Sequence, residues 1–275
     1  SSTGAGVTVA VIDSGVAKHP DLAGSFVRGV DLIAGTDGRV DANGHGTHVA
    51  GIIAMTANNS IGGAGLAPGV SIMPVVVADP GGSVRAADSA RGIIWAVDHG
   101  ADVLNMSYSG SASSVERKAI QYAQSKGVVT VAAVGNAYLD AGGSLYNPVQ
   151  YPAAFRGVLG VGSVTKSLRR SPFSEVGKQV DIVAPGGTGP FDSRKGIFST
   201  YSSLGYVRMP GTSMAAPYVS ATAALAISRQ RTLGMDVNIE DVLLGTATDL
   251  GTPGRDDEFG FGMVSPVAAL DTIAN

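Results

Sequence analysis

Cysteine is absent from this chain of 275 residues. Without a thiol, the protein has neither a disulfide nor a thiolate metal site, and cysteine usage gives no information on its redox compartment. Charged residues are also scarce, at 15% of the chain against about 25% in an average soluble domain. Hydrophobic residues make up 44%. A chain of this length and composition can bury a large core without covalent cross-links, so we expect residues 1–275 to form a single domain.

Long apolar runs and clusters of basic residues are missing as well. The longest apolar segments, such as GVVTVAAV and SATAALAI, are far shorter than the ~20 residues needed to span a bilayer. Lys and Arg are scattered along the chain, and the formal net charge is −3. The sequence therefore lacks the basic surface that binds nucleic acid, and we expect neither a membrane span nor a nucleic-acid partner.

Short apolar segments alternate with helical patterns along most of the chain. Segments that are β-branched and apolar on both faces are typical of buried parallel strands. They lie at 7–12, 70–77, 102–107, 128–134 and 158–164, with helical patterns at 84–98, 114–126 and 214–229. This alternation predicts an α/β fold with a doubly wound, mostly parallel sheet and helices on both faces.

Two local patterns add detail to this prediction. The motif SSVE predicts a capping box between Ser113 and Glu116 at the start of a helix. Residues 185–212 are rich in Gly, Pro and Ser, and we expect them to form a loop that leads into the last of these helices.

Polar residues follow several of the predicted strands. Asp13 ends the first strand, in AVIDSG, and Asn136 follows a later one, in AAVGNA. Asn105 and Ser107 end another strand, in LNMSYSG. Because ligands bind beyond the carboxyl ends of the strands in an open parallel sheet, these side chains are candidates for a shared site.

Two further motifs carry candidate catalytic groups: NGHGTHVAGI at 43–52 and GTSMAAP at 211–217. The second places Ser213 at the amino end of a helix, where unpaired N–H groups and the helix dipole favour negative charge. A serine, a histidine such as His45 and a carboxylate can act as nucleophile, base and orienting group when they lie within hydrogen-bond reach. Spacing alone leaves open whether they meet, since a serine before small residues is otherwise an ordinary helix cap.

Four stretches resemble, in the same order, the signature regions of the subtilisin-like serine proteases. They are DSG at 13–15, NGHGTHVAG at 43–51, GN at 135–136 and GTSMAAP at 211–217. Further matches at HPDL (19–22), APG (184–186) and GMVSPVAA (262–269) extend the resemblance over nearly the whole chain. It implies a serine endopeptidase that hydrolyses peptide bonds of proteins through an acyl-enzyme. The alternative is a catalytically silent binding or scaffolding relative of the same fold.

The resemblance implies a role for each of these residues. Ser213 is the nucleophile, His45 the general base and Asp13 the carboxylate that orients the base. Asn136 is the side-chain donor of the oxyanion hole, and the backbone N–H of Ser213 is the second donor. His48 matches a family histidine outside the triad and is expected to make a structural hydrogen bond. An HxxH zinc pair of His45 and His48 is the alternative.

The substrate-binding surface is also implied by the resemblance. LNMSYSG matches the family segment that pairs with the substrate backbone and lines the pocket for the residue before the cleaved bond. The family commonly has Leu-Gly where Tyr108 and Ser109 stand. The resemblance therefore does not fix the width or the specificity of this pocket. The expected substrate-binding residues are Asn105, Ser107, Tyr108, Ser109, Gly110, Ala133 and Gly135.

A structural calcium ion is a further implication. Asp21 in HPDL and Asn59 in NNSIG resemble two side-chain ligands of a family calcium site, which backbone carbonyls complete, here those of Ile61 and Gly63. Oxygen ligands of this mixed kind suit a hard cation. The alternative is that Asp21 caps a turn and Asn59 lies in a polar loop. No catalytic metal or organic cofactor is expected.

The resemblance has consequences for partners and location too. We expect a monomer that acts on polypeptide substrates outside the cell. An N-terminal propeptide that is not among residues 1–275 would be its inhibitor.

Overall fold

The computed structural model describes residues 2–137 and 149–274. Its strands are β1 (Thr8–Asp13), β2 (Val30–Asp31), β3 (Ser71–Val76), β4 (Val103–Met106), β5 (Val129–Ala133), β6 (Leu159–Val164), β7 (Ile182–Pro185), β8 (Ile197–Tyr201) and β9 (Gly205–Met209). Its α-helices are α1 (His45–Ala54), α2 (Ala86–Asp98), α3 (Ser114–Ser125), α4 (Thr212–Leu233), α5 (Ile239–Gly245) and α6 (Pro266–Ala274). A short 3-10 helix spans Pro20–Leu22.

Strands β1 to β7 form a parallel sheet in the order β2-β3-β1-β4-β5-β6-β7. A hydrophobic core lies on each face of the sheet. Alternate residues of β1 point into one core or the other, which explains why its sequence is apolar on both faces. Val9 and Val11 pack with α1 and α4, whereas Ala10 and Ile12 pack with α2 and α3. The predicted α/β fold with helices on both faces of a doubly wound sheet is therefore confirmed.

The order of strands along the sheet reverses around β1, which lies between β3 and β4. Such a reversal opens a crevice at the carboxyl ends of the strands, where α/β proteins bind ligands. β1 ends at Asp13, and Ser107 follows β4 by one residue. The first turn of α4 reaches the same crevice, because the hydroxyl of Ser213 contacts the carbonyl oxygen of Ser107.

Helix α4 is 22 residues long, and most of its side chains are buried. Small residues such as Ala215, Ala216, Ala223 and Ala224, all fully buried, let it pack closely against the sheet and α1. Within the ranges that the structure describes, no helix has both the length and the apolar character to cross a membrane.

Residues 185–212 differ from the predicted loop. Their middle forms an antiparallel hairpin, β8–β9, that packs on α1. Ser199 Oγ donates to the carbonyl oxygen of His48 at 2.7 Å, and Thr200 Oγ1 donates to that of Thr47 at 2.8 Å. The hairpin depends on these contacts with a distant part of the chain, which the local abundance of Gly, Pro and Ser does not indicate.

The predicted capping box at the start of α3 is wrong. Ser113 is the N-cap residue, but its side chain makes no capping hydrogen bond. Glu116 turns into the protein instead, where it is 4% exposed and accepts a hydrogen bond from Ser89 Oγ at 2.5 Å. Glu116 is thus paired with Ser89 of α2, and not with Ser113 at the start of its own helix.

Candidate active site

His45 and Asp13 form a hydrogen-bonded pair in which the carboxylate is buried and the imidazole is partly exposed. Nδ1 of His45 lies 2.8 and 3.0 Å from the two carboxylate oxygens of Asp13, which is 4% exposed. Helix α1 reaches this position because Gly46 has no side chain: a Cβ there would lie 2.2 Å from the carbonyl oxygen of Gly15. The carboxylate fixes the imidazole with Nδ1 as donor, and Nε2 is left available to accept a proton.

Asp41 holds the first turn of α1 in place. Its Oδ1 accepts from the N–H of Gly44 at 2.7 Å and from Ser14 Oγ at 2.9 Å. Its Oδ2 accepts from the N–H and the hydroxyl of Thr47 at 2.9 and 2.6 Å. These bonds satisfy donors that a helix leaves unpaired at its amino end, next to His45. Sequence reasoning missed Asp41, although an aspartate shortly before a helix is a known capping signal.

The pKa of His45 reflects competing effects. Burial disfavours the charged imidazolium, but the charge and hydrogen bond of Asp13 and the charge of Asp41 outweigh it, so the pKa is raised above 6.5. A base in this environment is stabilised once it has taken up a proton.

Ser213 is held against the end of β4 by a reciprocal pair of hydrogen bonds. Its hydroxyl donates to the carbonyl oxygen of Ser107 at 2.9 Å, and Ser107 Oγ donates to the carbonyl oxygen of Ser213 at 3.0 Å. The second bond forms because Pro217, four residues further along α4, has no N–H to donate to that carbonyl. Among the hydrogen bonds of the described residues, none joins Ser213 directly to His45.

Asn136 presents its amide nitrogen to the crevice. Its Oδ1 accepts from the backbone N–H and from the hydroxyl of Thr212, both at 2.9 Å. With the oxygen engaged, Nδ2 has no acceptor in the part of the chain that the structure describes. A Cβ at Gly211 would lie 3.8 Å from this nitrogen, so it is close to the first turn of α4. Sequence reasoning missed Thr212, although it directly precedes Ser213.

Glu175 supports the turn that carries Asn136. It is fully buried, and its Oε1 accepts from the N–H of Ala137 at 3.2 Å and from Gln150 Nε2 at 2.9 Å. Burial raises the pKa of this carboxyl group. Gly135 has a φ of +116°, and a Cβ there would lie 3.0 Å from Glu175 Oε1, so the turn requires glycine. No sequence pattern singled out Glu175.

Asn105 lies beneath the crevice and has no exposed surface. Its Nδ2 donates to Ser107 Oγ at 2.8 Å, and its Oδ1 accepts from Ser220 Oγ at 2.9 Å. Both ends of the amide are therefore engaged inside the protein. Asn105 is placed to hold Ser107 and not to contact a substrate, in contrast to the expectation from the sequence.

The segment 107–110 is fixed at both ends. Ser107 is bound to Ser213, and Gly110 exchanges two backbone hydrogen bonds with Tyr151, at 2.8 and 3.0 Å. Ser109 and Gly110 are exposed, and Ala133 is buried at the end of β5. The segment thus presents backbone to solvent beside Ser213.

His48 has different partners from those of His45. It is fully buried, and its Nε2 lies 3.0 Å from the carbonyl oxygen of Ile197 and 3.3 Å from that of Val207, both in the β8–β9 hairpin. Burial, with a smaller contribution from His45, lowers its pKa to about 4, so it is neutral at pH 7. His48 makes a structural hydrogen bond, as predicted, and the two histidines do not face each other as a zinc pair.

Asp21 and Asn59 come together, as the resemblance implied. Asp21 is fully buried; its Oδ1 accepts from Asn59 Nδ2 at 2.6 Å and its Oδ2 from the hydroxyl of Tyr206 at 3.2 Å. Asn59 Oδ1 accepts from the N–H of Ile61 at 3.2 Å. The turn at Pro20–Leu22 is capped by the side chain of His19, so Asp21 does not have the capping role of the alternative.

The sequence profile of the Subtilase family matches residues 4–262. The chain belongs to the subtilase family. As a member it is a serine endopeptidase, in agreement with the names of its relatives. Subtilisin DY from Bacillus licheniformis is 39% identical over 261 residues, which cover 94% of this chain and 88% of the relative. Thermitase from Thermoactinomyces vulgaris is 40% identical over 253 residues, 91% of this chain and 84% of the relative.

Solved structures show the same fold. A protease from Pseudoalteromonas arctica matches this subtilase with a TM-score of 0.85 and 32% identity, over 99% of this chain and 91% of the other. A lanthipeptide protease matches with a TM-score of 0.85 and 31% identity, over 99% of this chain and 89% of the other. The α/β architecture of the chain is thus that of its family.

Proposed function

We propose that this subtilase cleaves peptide bonds through an acyl-enzyme formed on Ser213. The proposal rests on the hydrogen-bonded pair of Asp13 and His45, which lies at the same crevice as the first turn of α4. Ser213 Oγ attacks the carbonyl carbon of the substrate while His45 Nε2 takes its proton. Asp13 stabilises the imidazolium. His45 then returns the proton to the leaving amine, and the C–N bond breaks. Water, deprotonated by His45, hydrolyses the ester and restores Ser213.

The Ser213 hydroxyl has to turn for this step. In the free protein it donates to the carbonyl oxygen of Ser107, whereas proton transfer requires it to face His45. Rotation about the Cα–Cβ bond of a serine provides this change without movement of the backbone. Catalytic hydrogen bonds in a protein without substrate are often incomplete in this way.

Asn136 and the backbone N–H of Ser213 are the proposed oxyanion hole. The two hydrogen bonds from Thr212 engage the oxygen of the Asn136 amide and leave Nδ2 free to donate. A donor fixed before the reaction stabilises the charge that develops on the carbonyl oxygen at no cost of reorganisation. Thr212 acts as a positioning residue for this donor.

Substrate binding is assigned to the two walls of the crevice. The exposed backbone of segment 107–110 is suited to pair with an extended substrate, and the end of β5 forms the facing wall. The proposed contacts are Ser107, Tyr108, Ser109, Gly110, Ala133 and Gly135. Asn105, which is fully buried, acts through Ser107.

A fluorophosphonate probe tests the proposed chemistry, because it forms a covalent bond only with an activated serine. We expect one probe per chain, mapped to Ser213 by peptide mass spectrometry, and no label on the Ser213→Ala variant. A catalytically silent binding relative would stay unlabelled while folded, and that result would refute the proposal.

We also propose a structural calcium ion held by Asp21 and Asn59 and completed by the carbonyl oxygens of Ile61 and Gly63. Its support is a fully buried carboxylate beside an amide and a loop backbone, a donor set that fits a hard cation. The amide of Asn59 has to turn over, since its nitrogen faces Asp21. Among the described residues no three His, Cys, Asp or Glu side chains form a metal cluster, so neutral oxygens must complete the site.

Family membership supports the remaining assignments. We propose that residues 1–275 act as one catalytic domain, as a monomer, outside the cell and on polypeptide substrates, with an N-terminal propeptide as inhibitor. Sedimentation of the Ser213→Ala variant tests the monomer, and inhibition by an added propeptide tests the last assignment.

A further inference from the structure

The carboxylate of Asp41 joins two elements of the site. From the loop after β1, Ser14 Oγ donates to its Oδ1 at 2.9 Å. From the start of α1, the N–H groups of Gly44 and Thr47 donate to it at 2.7 and 2.9 Å, and the Thr47 hydroxyl donates at 2.6 Å. Asp41 therefore ties the end of β1, which carries the buried carboxylate of the pair, to the first turn of α1, which carries the imidazole.

Ser14 connects this network to the pair itself. Its backbone N–H donates to Asp13 Oδ1 at 2.7 Å, and its hydroxyl oxygen accepts from the N–H of Gly46 at 3.0 Å. The proton of the same hydroxyl goes to Asp41. One residue thus binds both carboxylates and the helix, so the placement of His45 against Asp13 depends on where Asp41 lies.

Asp41 brings a negative charge that no cation offsets locally. Its hydrogen-bond donors among the described residues are uncharged N–H and hydroxyl groups, and none of the ion pairs formed by these residues includes it. Such donors stabilise a carboxylate in its charged form. The imidazole of His45 responds to this charge: burial lowers its pKa, whereas Asp13 and Asp41 raise it.

The position of His45 in the helix explains why a second carboxylate matters. His45 is the first residue of α1, and the amino end of a helix carries the equivalent of about half a positive charge. This charge opposes protonation of an imidazole at the same place. Asp41 accepts from the N–H groups of Gly44 and Thr47 in this turn, and so offsets the dipole where the proton has to be taken up.

The remaining groups around the imidazole do not supply this charge. The titratable and hydroxyl groups that surround it are Asp13 of β1, Asp41 of the loop before α1, His48 of α1, Ser213 of α4 and Tyr201 of β8. His48 is neutral at pH 7, because burial lowers its pKa to about 4. Ser213 and Tyr201 contribute hydroxyl groups. The charges that act on the imidazole are therefore those of the two aspartates.

We propose that Asp41 is a positioning residue for catalysis: its carboxylate offsets the dipole of α1 at His45 and fixes the imidazole against Asp13, so that His45 can hold the proton it takes up. The inference rests on the proposed peptidase function. It adds a carboxylate outside the set of Asp13, His45 and Ser213 on which proton transfer depends. Asp41 acts through His45 and not on the substrate.

The test is the pH dependence of kcat/KM, with active enzyme counted by a fluorophosphonate probe so that only folded molecules enter the result. The acid limb of this profile reports protonation of His45 in the free enzyme. Without the Asp41 charge the imidazolium is less stable, so its proton leaves at a lower pH. In Asp41→Asn we expect the acid limb to move down by about 0.5–1 pH unit. The plateau should fall by about 3–10-fold, which is the same free energy expressed as a rate.

Two further variants separate the charge from the hydrogen bonds. Asp41→Ser is also neutral, and it replaces Asp41→Asn if the amide of asparagine, which turns a donor toward the N–H groups of α1, prevents folding. Asp41→Glu keeps the charge, so its acid limb should stay where the parent has it even if its plateau is lower. The rate of probe labelling gives the same limb for a variant that cleaves too slowly to assay.

Asp31→Asn is the matched control. Asp31 is a buried aspartate that also accepts from uncharged groups: the N–H groups of Ile33 and Ala34 at 2.8 and 2.7 Å, and the hydroxyl of Thr36 at 2.9 Å. It lies in β2, which β3 separates from β1, and its charge is not among those that act on the imidazole. This variant should unfold more easily than the parent and keep the acid limb of the parent.

The inference would be overturned if a neutral Asp41 variant kept the acid limb of the parent. A limb that moved down equally in Asp41→Glu or in Asp31→Asn would also overturn it. If neither neutral Asp41 variant were labelled while Asp31→Asn was, Asp41 would serve the fold alone and the inference would fail. A parent that is neither labelled nor active would refute the proposed function itself, and this inference with it.

Discussion

Helix α1 contacts two regions of the molecule through two histidines that are three residues apart. In the β1 contact, His45 meets the buried carboxylate of Asp13, and its pKa is raised. In the hairpin contact, His48 is buried against carbonyl oxygens of β8 and β9, and its pKa falls to about 4. His48 is fully buried, whereas the side chain of His45 is 24% exposed, and burial still disfavours the charged form of both imidazoles. A carboxylate partner, and not burial alone, therefore separates a base that can hold a proton from a neutral structural donor.

This comparison divides the site into groups for chemistry and groups for stability. We propose that Asp13, His45 and Ser213 belong to the first set, together with Asn136. His48 and the hairpin that it holds belong to the second. Changes in the first set should remove activity and leave the fold intact, and changes in the second should have the reverse effect.

Ser213→Ala should have the largest effect. We expect kcat to fall by about 10⁶-fold, which is the size of the corresponding loss in subtilisin, a relative in the same family. The free energy of unfolding should change by about 1 kcal/mol at most, because the hydroxyl makes one hydrogen bond, to Ser107. Kinetics and urea unfolding of the variant check both statements. If more than a few per cent of the turnover remained, Ser213 would not be the nucleophile.

Asn136→Leu should come next, with kcat about 10²–10³-fold lower and KM little changed, a size that again comes from subtilisin. In its proposed role the amide nitrogen of Asn136 acts only when charge develops on the substrate oxygen, so binding of the ground state should be unaffected. Steady-state kinetics on a peptide substrate separate the two constants. A large rise in KM with kcat intact would assign Asn136 to substrate binding instead.

His48 should make the fold sensitive to acid. The unfolded chain takes up this proton near pH 6.5, whereas the folded protein keeps His48 neutral down to about pH 4. Stability is therefore lost as the pH falls through this range, by about 3 kcal/mol in total. Urea unfolding of Ser213→Ala across pH 4–7, with and without His48→Gln, measures this loss of unfolding free energy. Equal pH dependence of the two proteins would count against the assigned environment of His48.

Calcium should have the smallest effect. In the Ser213→Ala protein, free calcium at ~100 times its Kd should stabilise the fold by about 2.7 kcal/mol. Thermal melts with chelator and with millimolar calcium show this shift, and Asp21→Asn should abolish it. The proposed calcium site would be refuted if calcium did not shift the melting temperature of Ser213→Ala. An equal shift in the variant that also carries Asp21→Asn would refute it too.

The sequence predicted the structure well for two kinds of feature: apolar patterns that recur along the chain, and polar residues at the ends of predicted strands. β-branched segments that are apolar on both faces predicted parallel strands because helices cover both sides of the sheet. Asp13 and Ser107 could be placed at the crevice because parallel strands end at the same edge. The roles of these residues came from the family resemblance and remain to be tested.

Other features depend on contacts between distant parts of the chain. Glu116 has the spacing of a capping box, but a buried bond to Ser89 from another helix is available and forms instead. Asn136 is oriented by Thr212, 76 residues away. The β8–β9 hairpin is stabilised by α1, about 150 residues earlier. Local patterns contain no information on such partners.

His45→Ala and His48→Ala, prepared together, test the central claim most directly. The measurements are kcat/KM for each variant and urea unfolding of each in the Ser213→Ala background, which prevents self-digestion. We predict that His45→Ala loses about as much activity as Ser213→Ala, as in subtilisin, with little change in unfolding. His48→Ala should keep its activity within about tenfold and unfold more easily, by roughly 1–3 kcal/mol, since the hairpin loses a buried donor. Equal losses of activity in two equally stable variants would contradict the division between the β1 contact and the hairpin contact of α1.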